Sequence, residues 1–303
     1  MYALFEVVLF IILSIVLVIL LKFILMYYTN YGKVYELQYG EEESSKIPNI
    51  IYTYWDSPNV PLSVRKCIAS WRKYNPYYKI IILNSSNYRQ YIDMDIEKLR
   101  HADSKQRISD FVRLYILQKT GGIWLDASIM LYHSLDWLHA YSNKGNCEAV
   151  LYYLDSFSTI DTVVNNKIVK KYPVVESWFI ACVPNSTFIS DWKEEFFGLN
   201  NYPTVKDYTQ CVSKYTDLQN IPSREYLAIH CSCQEVLQKK NNYKLAYLCA
   251  EQGPYMYNTV MVWILPFLIF YPYIPCLHRP VVKFRGGERN YIEKLYKVGY
   301  HII

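Results

Sequence analysis

Along residues 108–126 the apolar positions change period. Ile108, Phe111, Val112, Tyr115 and Ile116 recur at helical spacing, which predicts an amphipathic helix. Gly121-Gly122 supplies the permissive backbone that ends a helix. Ile123-Trp124-Leu125 is short and wholly apolar, and reads as a buried strand. Asp126 follows at its carboxyl end, where α/β sheets present ligand-binding groups. Asp110 and Arg113 are three residues apart, so they share a helix face away from the apolar stripe. A charge pair and an acid are thus aimed at one crevice.

The same patterning organises the rest of the chain. Ile50–Trp55 has strand composition. Val64, Cys67, Ile68 and Trp71 keep helical spacing until Pro76, and Lys79–Leu83 is a second apolar strand. Strand, helix and strand in this order predict parallel pairing with a right-handed crossover. The fold class expected is α/β, an open sheet with flanking helices. Neither GxGxxG nor GxxxxGK[ST] occurs, so neither a dinucleotide fold nor a P-loop is indicated. Further on, Val174–Ala181 reads as a strand entering the sheet edge. Phe188–Phe197 and Ser223–Gln238 read as helices, and Glu251–Pro254 as a turn.

The amino-terminal pattern differs. From Leu4 to Met26 nearly every residue is apolar, enough for one membrane-spanning helix. Glu6 and Lys22 sit near its ends, and Tyr27, Tyr28 and Tyr31 suit an interfacial belt. A cleaved signal peptide fits less well, because no basic start and no small-residue cleavage site flank the run. The organisation expected is an anchor over 1–28, a stem over 29–46 containing Glu41-Glu42-Glu43-Ser44-Ser45, and a globular domain over 47–303. Lys22 and Lys33 follow the span and no basic residue precedes it, which leans the domain towards the cytosol without fixing its side. A second apolar run, Val260–Tyr273, carries Pro266 and Pro272 and is short for a span; core and membrane-apposed readings both stand.

Composition adds exclusions. The chain has 303 residues, 52% hydrophobic, so a sizeable core is available and disorder is excluded for most of it. A net charge of +5 without a basic, aromatic-interleaved run does not favour nucleic acid. The eight cysteines are scattered; Cys231-Ser-Cys233 with His230 falls short of a zinc set, and buried thiols are the default.

Taken together, these segments resemble the capsular polysaccharide synthesis glycosyltransferases. They also resemble the wider group of GT-A enzymes with a DXD-containing sugar-binding region, including Och1-type mannosyltransferases and clostridial glucosylating toxins. The residues that carry the resemblance are Ile47–Trp55, Ser70-Trp71 with Asn75-Pro76, Ser109-Asp110-x-x-Arg113, and Gly121–Ser128. Glu176–Ala181 and Gln252-Gly253-Pro254 add to it. Where the wider group has Asp-x-Asp, this chain has Asp126-Ala127-Ser128, a form common in the capsular branch.

The resemblance implies a GT-A-type nucleotide-sugar sheet and a membrane-anchored enzyme. It would move sugar from a UDP- or GDP-sugar to a glycan or glycolipid hydroxyl, with retention of configuration. Asp126 and Ser128 would hold Mn2+ or Mg2+ on the donor diphosphate. Arg113 would fork onto a phosphate or sugar oxygen. Asp110 would accept from donor sugar hydroxyls and, with Asp126, carry the catalytic chemistry. Trp55 would stack on the nucleotide, with Trp124 alongside in the donor site. Each has a plainer reading: Asp110–Arg113 as a surface ion pair, Asp126 as a turn cap, Trp55 as core. His230 and Glu251 read more simply as structural. Two rivals remain: an inactive glycosyltransferase-like binding or scaffold protein, and an integral membrane protein using both apolar runs.

Overall fold

The structure, a computed structural model, describes residues 6, 9–18, 21, 35–36, 46–144, 146–240, 242–255 and 280–299. The chain divides into two units, Met1–Lys33 and Val34–Ile303. In the first, residues 9–18 form helix α1, with Phe10, Leu13 and Leu17 exposed. Among the described residues no helix is long and apolar enough to cross a membrane. Most other residues of the Leu4–Met26 run, and all of Val260–Tyr273, lie outside the described residues.

The second unit is built on a seven-stranded sheet. Its strands are β1 (Tyr35–Glu36), β2 (Ile50–Tyr54), β3 (Lys79–Leu83), β4 (Gly122–Leu125), β6 (Ala149–Leu154), β9 (Val174–Cys182) and β10 (Leu245–Cys249). They lie in the order β1-β10-β6-β9-β4-β2-β3. The predicted strand–helix–strand unit is present: α2 (Leu62–Tyr74) joins β2 to β3, which pair in parallel from Ile50↔Lys79 to Tyr54↔Leu83. β4 also runs parallel to β2. β1 falls within the stretch expected as a stem and pairs antiparallel with β10.

One expectation is corrected. β9 does not enter at an edge; it lies between β6 and β4, antiparallel to both. All nine of its residues are buried, so it is a central strand covered on both faces. The reversal has a consequence for the site. It brings the amino-terminal half of β9 to the rim where β4 and β6 end, through the pairs Leu125↔Phe179 and Leu154↔Val174.

Helix α3 (Lys105–Thr120) precedes β4 and starts at Ser104, whose side chain accepts from the Arg107 backbone N–H. Gly121 and Gly122 then turn the chain at φ +60° and +101°. A Cβ on Gly121 would lie 2.5 Å from the Pro184 nitrogen, and one on Gly122 2.9 Å from the Ile50 carbonyl oxygen. Only glycine allows the helix end to approach its neighbours this closely. Two side-chain clusters fill the faces of the sheet. Phe111, Trp124, Phe188 and Trp192 belong to one; Ile51, Trp71, Leu125 and Phe179 belong to the other.

Outside the main sheet, β5 (Ile129–Leu131) pairs antiparallel with β11 (Val281–Lys283). β7 (Asp161–Val164) and β8 (Lys167–Lys170) form a hairpin. The remaining helices are α4 (Leu138–Lys144), α5 (Thr187–Gly198), α6 (Val205–Val212), α7 (Ala228–Lys239) and α8 (Gly286–Lys297). α7 begins five residues after Ser223, the expected start; Ser223 itself has φ 43°, which is not helical.

Candidate functional site

A cleft of about 690 Å³ opens at the carboxyl rim of the parallel strands. The chain leaving β2 supplies Trp55 and Asp56. The first turns of α3 supply Arg107, Asp110 and Arg113. Asp126 and Ser128 follow β4, and Glu176 and Trp178 stand on β9. The cleft is completed by His230 on α7, Lys283 on β11 and Arg289 on α8. Six basic side chains line it against four acidic ones, so the cleft suits an anionic ligand.

Asp126 is its electrostatic centre. Its Oδ1 accepts from Arg113 Nη2 at 3.1 Å and from the Trp124 indole N–H at 3.1 Å. Its Oδ2 lies 2.6 Å from Lys283 Nζ. Burial opposes its ionisation, but Lys283 and Arg113 outweigh that and hold its pKa down at about 2. Asp126 is therefore ionised at neutral pH.

Arg113 is buried, 3.3 Å from Asp110 Oδ1, and its guanidinium lies 5.1 Å from the Trp124 ring centroid. Its Nε has no hydrogen-bond partner among the described residues. The surface-pair reading of Asp110 and Arg113 fails on this burial: their helix face looks into the cleft, not into bulk water. Burial pushes the Asp110 carboxyl upward, and the nearby Arg113 and Arg107 pull against it.

Trp55 lines the cleft with the Arg289 guanidinium 5.9 Å over its ring. Trp124 does not line it. The indole, expected in the donor site, is fully buried beneath Arg113, and its N–H donates to Asp126 at the edge of the cleft. Every residue of β4 is buried, and none of them lines the cleft.

Ser128 stands beside Asp126 as expected, and a third group joins them. Lys283 Nζ donates to Ser128 Oγ at 3.0 Å while paired to Asp126. Asp126 thus has both oxygens engaged by protein cations, and Ser128 accepts from one of them. A divalent ion ligated by these two residues would meet the Lys283 ammonium, so this arrangement does not fit one. Among the described residues no group of three His, Cys, Asp or Glu side chains is placed to hold a metal.

Glu176, which enters the resemblance within Glu176–Ala181 but without a role of its own, also lines the cleft. Its Oε2 lies 3.4 Å from His230 Nε2, and its Oε1 accepts from the Tyr255 hydroxyl at 3.3 Å. His230, Glu176 and Lys283 are all buried. Glu251 accepts from the Asp155 and Ser156 backbone N–H groups instead, a structural role outside the cleft. Cys231 and Cys233 are buried free thiols on α7.

Inositol phosphoceramide mannosyltransferase 3 of Schizosaccharomyces pombe (strain 972 / ATCC 24843) is 26% identical over 144 residues, 44% of this chain and 40% of its own length. The chain thus matches less than half of that relative. Two solved structures are similar at 12% identity and a TM-score of 0.42. PaToxG Glycosyltransferase covers 95% of this chain and 96% of its own. A glycosyltransferase involved in glycosylation of the major capsid of PBCV-1 covers 82% and 100%. At that score the fold assignment rests on the strand order itself. The model of the capsular polysaccharide synthesis protein family matches residues 16–273, well over half of the sequence. The chain belongs to the capsular polysaccharide synthesis protein family.

Proposed function

We propose that this protein is a glycosyltransferase that moves a sugar from a nucleoside-diphosphate sugar to a hydroxyl of a glycan or glycolipid at a membrane. The observation that carries the reading is the convergence of Asp110, Arg113 and Asp126 in one cation-rich cleft at the carboxyl rim of the sheet. That rim is where open α/β sheets bind their ligands. Similarity to a mannosyltransferase supports the same class and makes a mannosyl donor the first to try.

The roles follow from position. The Trp55 ring gives the base or ribose a flat surface. Arg113 directs its fork at a diphosphate or sugar oxygen. Asp110 accepts from sugar hydroxyls. Asp126 fixes the cationic groups around the leaving group. When the bond between the anomeric carbon and the β-phosphate oxygen breaks, the electron pair stays on the diphosphate. The acceptor oxygen bonds to that carbon, and its proton leaves to solvent. Charge fixed beside the developing diphosphate anion favours this transition state. Retention of configuration is part of the proposal and is checked by proton NMR of the anomeric signal.

The apolar run from Leu4 to Met26 supports a membrane anchor. Deletion of residues 1–30 is expected to free the protein from membranes on alkaline extraction. The test of activity is a nucleotide-release screen of the full chain against UDP- and GDP-sugars. One donor is expected to release nucleotide. A folded protein that releases none and transfers no label supports the inactive binding or scaffold reading instead.

A further inference from the structure

Lys283 occupies an unusual place for a lysine. Its Nζ lies 2.6 Å from Asp126 Oδ2 and 3.0 Å from Ser128 Oγ, between the two residues that the resemblance would make ligands of a metal. The side chain is only 10% exposed. The backbone around it is also fixed. β11 pairs with β5 in the register Lys283↔Ile129, and the Phe284 N–H donates to the Ser128 carbonyl at 3.0 Å. The Lys283 N–H donates to the Pro254 carbonyl at 3.1 Å. The ammonium therefore does not reach the site by chance on a loose chain. It is delivered by a strand pairing that continues directly from the Asp126–Ser128 turn.

A divalent ion bound by Asp126 and Ser128 would need the same space. Two cations about 3 Å apart repel strongly where water is partly excluded. Lysine is also a usual phosphate-binding cation, acting as a point charge. We infer that Lys283 is the resident cation of the donor site: it takes the position of the divalent ion and, with Arg113, neutralises the donor diphosphate. Asp126 and Ser128 are then the positioning groups that hold the ammonium. The inference rests on the sugar-nucleotide reading above and narrows it to a reaction that needs no divalent ion. Lys283 also lies beyond the residues 16–273 that the family model matches, so the pattern of that match does not supply it.

The test is nucleotide binding by the full-length protein, measured by calorimetry with UDP and GDP, in EDTA and in Mn2+. Mn2+ paramagnetic resonance is recorded on the same samples. One nucleotide is expected to bind in EDTA within about threefold of its affinity in Mn2+, and the Mn2+ spectrum is expected to remain that of the free aqueous ion. Lys283→Met, which keeps an unbranched chain one atom shorter and removes the charge, is expected to weaken binding in EDTA at least about tenfold. Lys283→Arg is expected to retain more binding than Lys283→Met. Binding that appears only with Mn2+, or a protein-bound Mn2+ spectrum that Asp126→Asn abolishes, overturns the inference and leaves the transferase reading in place. Undiminished binding by folded Lys283→Met in EDTA also overturns it. Absence of nucleotide binding in both conditions overturns the inference; the transferase reading falls with it only if the release screen is silent too. Should Lys283→Met fail to fold, the EDTA and Mn2+ comparison on the wild-type protein decides alone.

Discussion

Lys283 and Asp126 are 157 residues apart in the chain and 2.6 Å apart in space. Their ion pair joins the end of β11 to the turn after β4, and it shares Asp126 with Arg113 from α3. Three separate stretches of sequence thus meet on one carboxylate. Removing that carboxylate has both a chemical and a structural effect.

Asp126→Asn is expected to lower sugar transfer at least about a hundredfold, because the cations lose the charge that positions them. It is also expected to cost about 1–2 kcal/mol of stability, since the buried Arg113 and Lys283 lose the partly exposed carboxylate that pairs them. Nucleotide release and thermal melts on the same preparation measure the two effects. A folded variant with wild-type transfer would remove Asp126 from the chemistry.

The pH dependence of that stability has a definite sign. Asp126 is held at about 2 in the folded protein against an ordinary 3.8, so the folded state binds its proton less readily than the unfolded one. Its contribution is fully present above about pH 4 and is lost as pH falls towards 2. Asp126→Asn lacks the group. The melting-temperature gap between wild type and variant should therefore close over that window. A gap that widens on acidification would contradict the ion-pair account.

Arg113→Lys keeps the charge but loses the fork. Donor affinity is expected to fall at least about tenfold, equivalent to 1.4 kcal/mol. Arg113→Ala is expected to lose stability as well, since Asp110 and Asp126 both lean on the guanidinium. Asp110→Asn separates hydroxyl recognition from charge and is expected to raise KM for the donor. Donor titrations with parallel melts check all three. Unchanged kinetics in Arg113→Lys and Asp110→Asn would leave this pair a structural brace.

Gly121→Ala places a Cβ against the Pro184 backbone at a φ of +60°. The strain and clash are expected to cost about 2 kcal/mol or more, with the protein melting several degrees lower. Gly198→Ala, where a Cβ meets nothing within 4 Å, is the control and should be near neutral. Equal melting of the two variants would show that the α3–β4 turn tolerates a side chain.

What could be read from the sequence was local. The periodicity of 108–116, the Gly-Gly stop and the apolar triplet before Asp126 determine α3 and β4, because each depends on neighbours within a few residues. The parallel β2–β3 pair was equally legible from its connecting helix. Sheet order was not. β9 is as apolar as a central strand should be, yet nothing local states that it inserts antiparallel between β6 and β4. The sequence does not state that the Trp124 ring lies under Arg113 with its N–H turned to Asp126, because that contact is made across α3 and β4. Lys283 is legible only as part of Lys283-Phe284-Arg285 near the end of the domain, with no role. One lysine in a charged segment carries no mark of the ladder that turns it inward. Glu176 sits in a run already read as strand, where a lone acid among apolar residues was the available signal.

The Gly121-Gly122 turn has one more consequence, a mechanical one. Because the end of α3 is pressed against the backbone of the β9–α5 connection, α3 and β4 cannot slide past each other without breaking that contact. Arg113 and Asp126 are therefore mounted on one stiff piece, and their spacing is set by the scaffold. Lys283 is mounted on another, joined through the three-residue β5–β11 ladder. Of the two cations that grip Asp126, one stands on the helix that leads into the seven-stranded sheet and the other on a two-stranded ladder. Any breathing of the cleft should open on the lysine side first, and amide exchange at Lys283 and Phe284 should outpace exchange along β4.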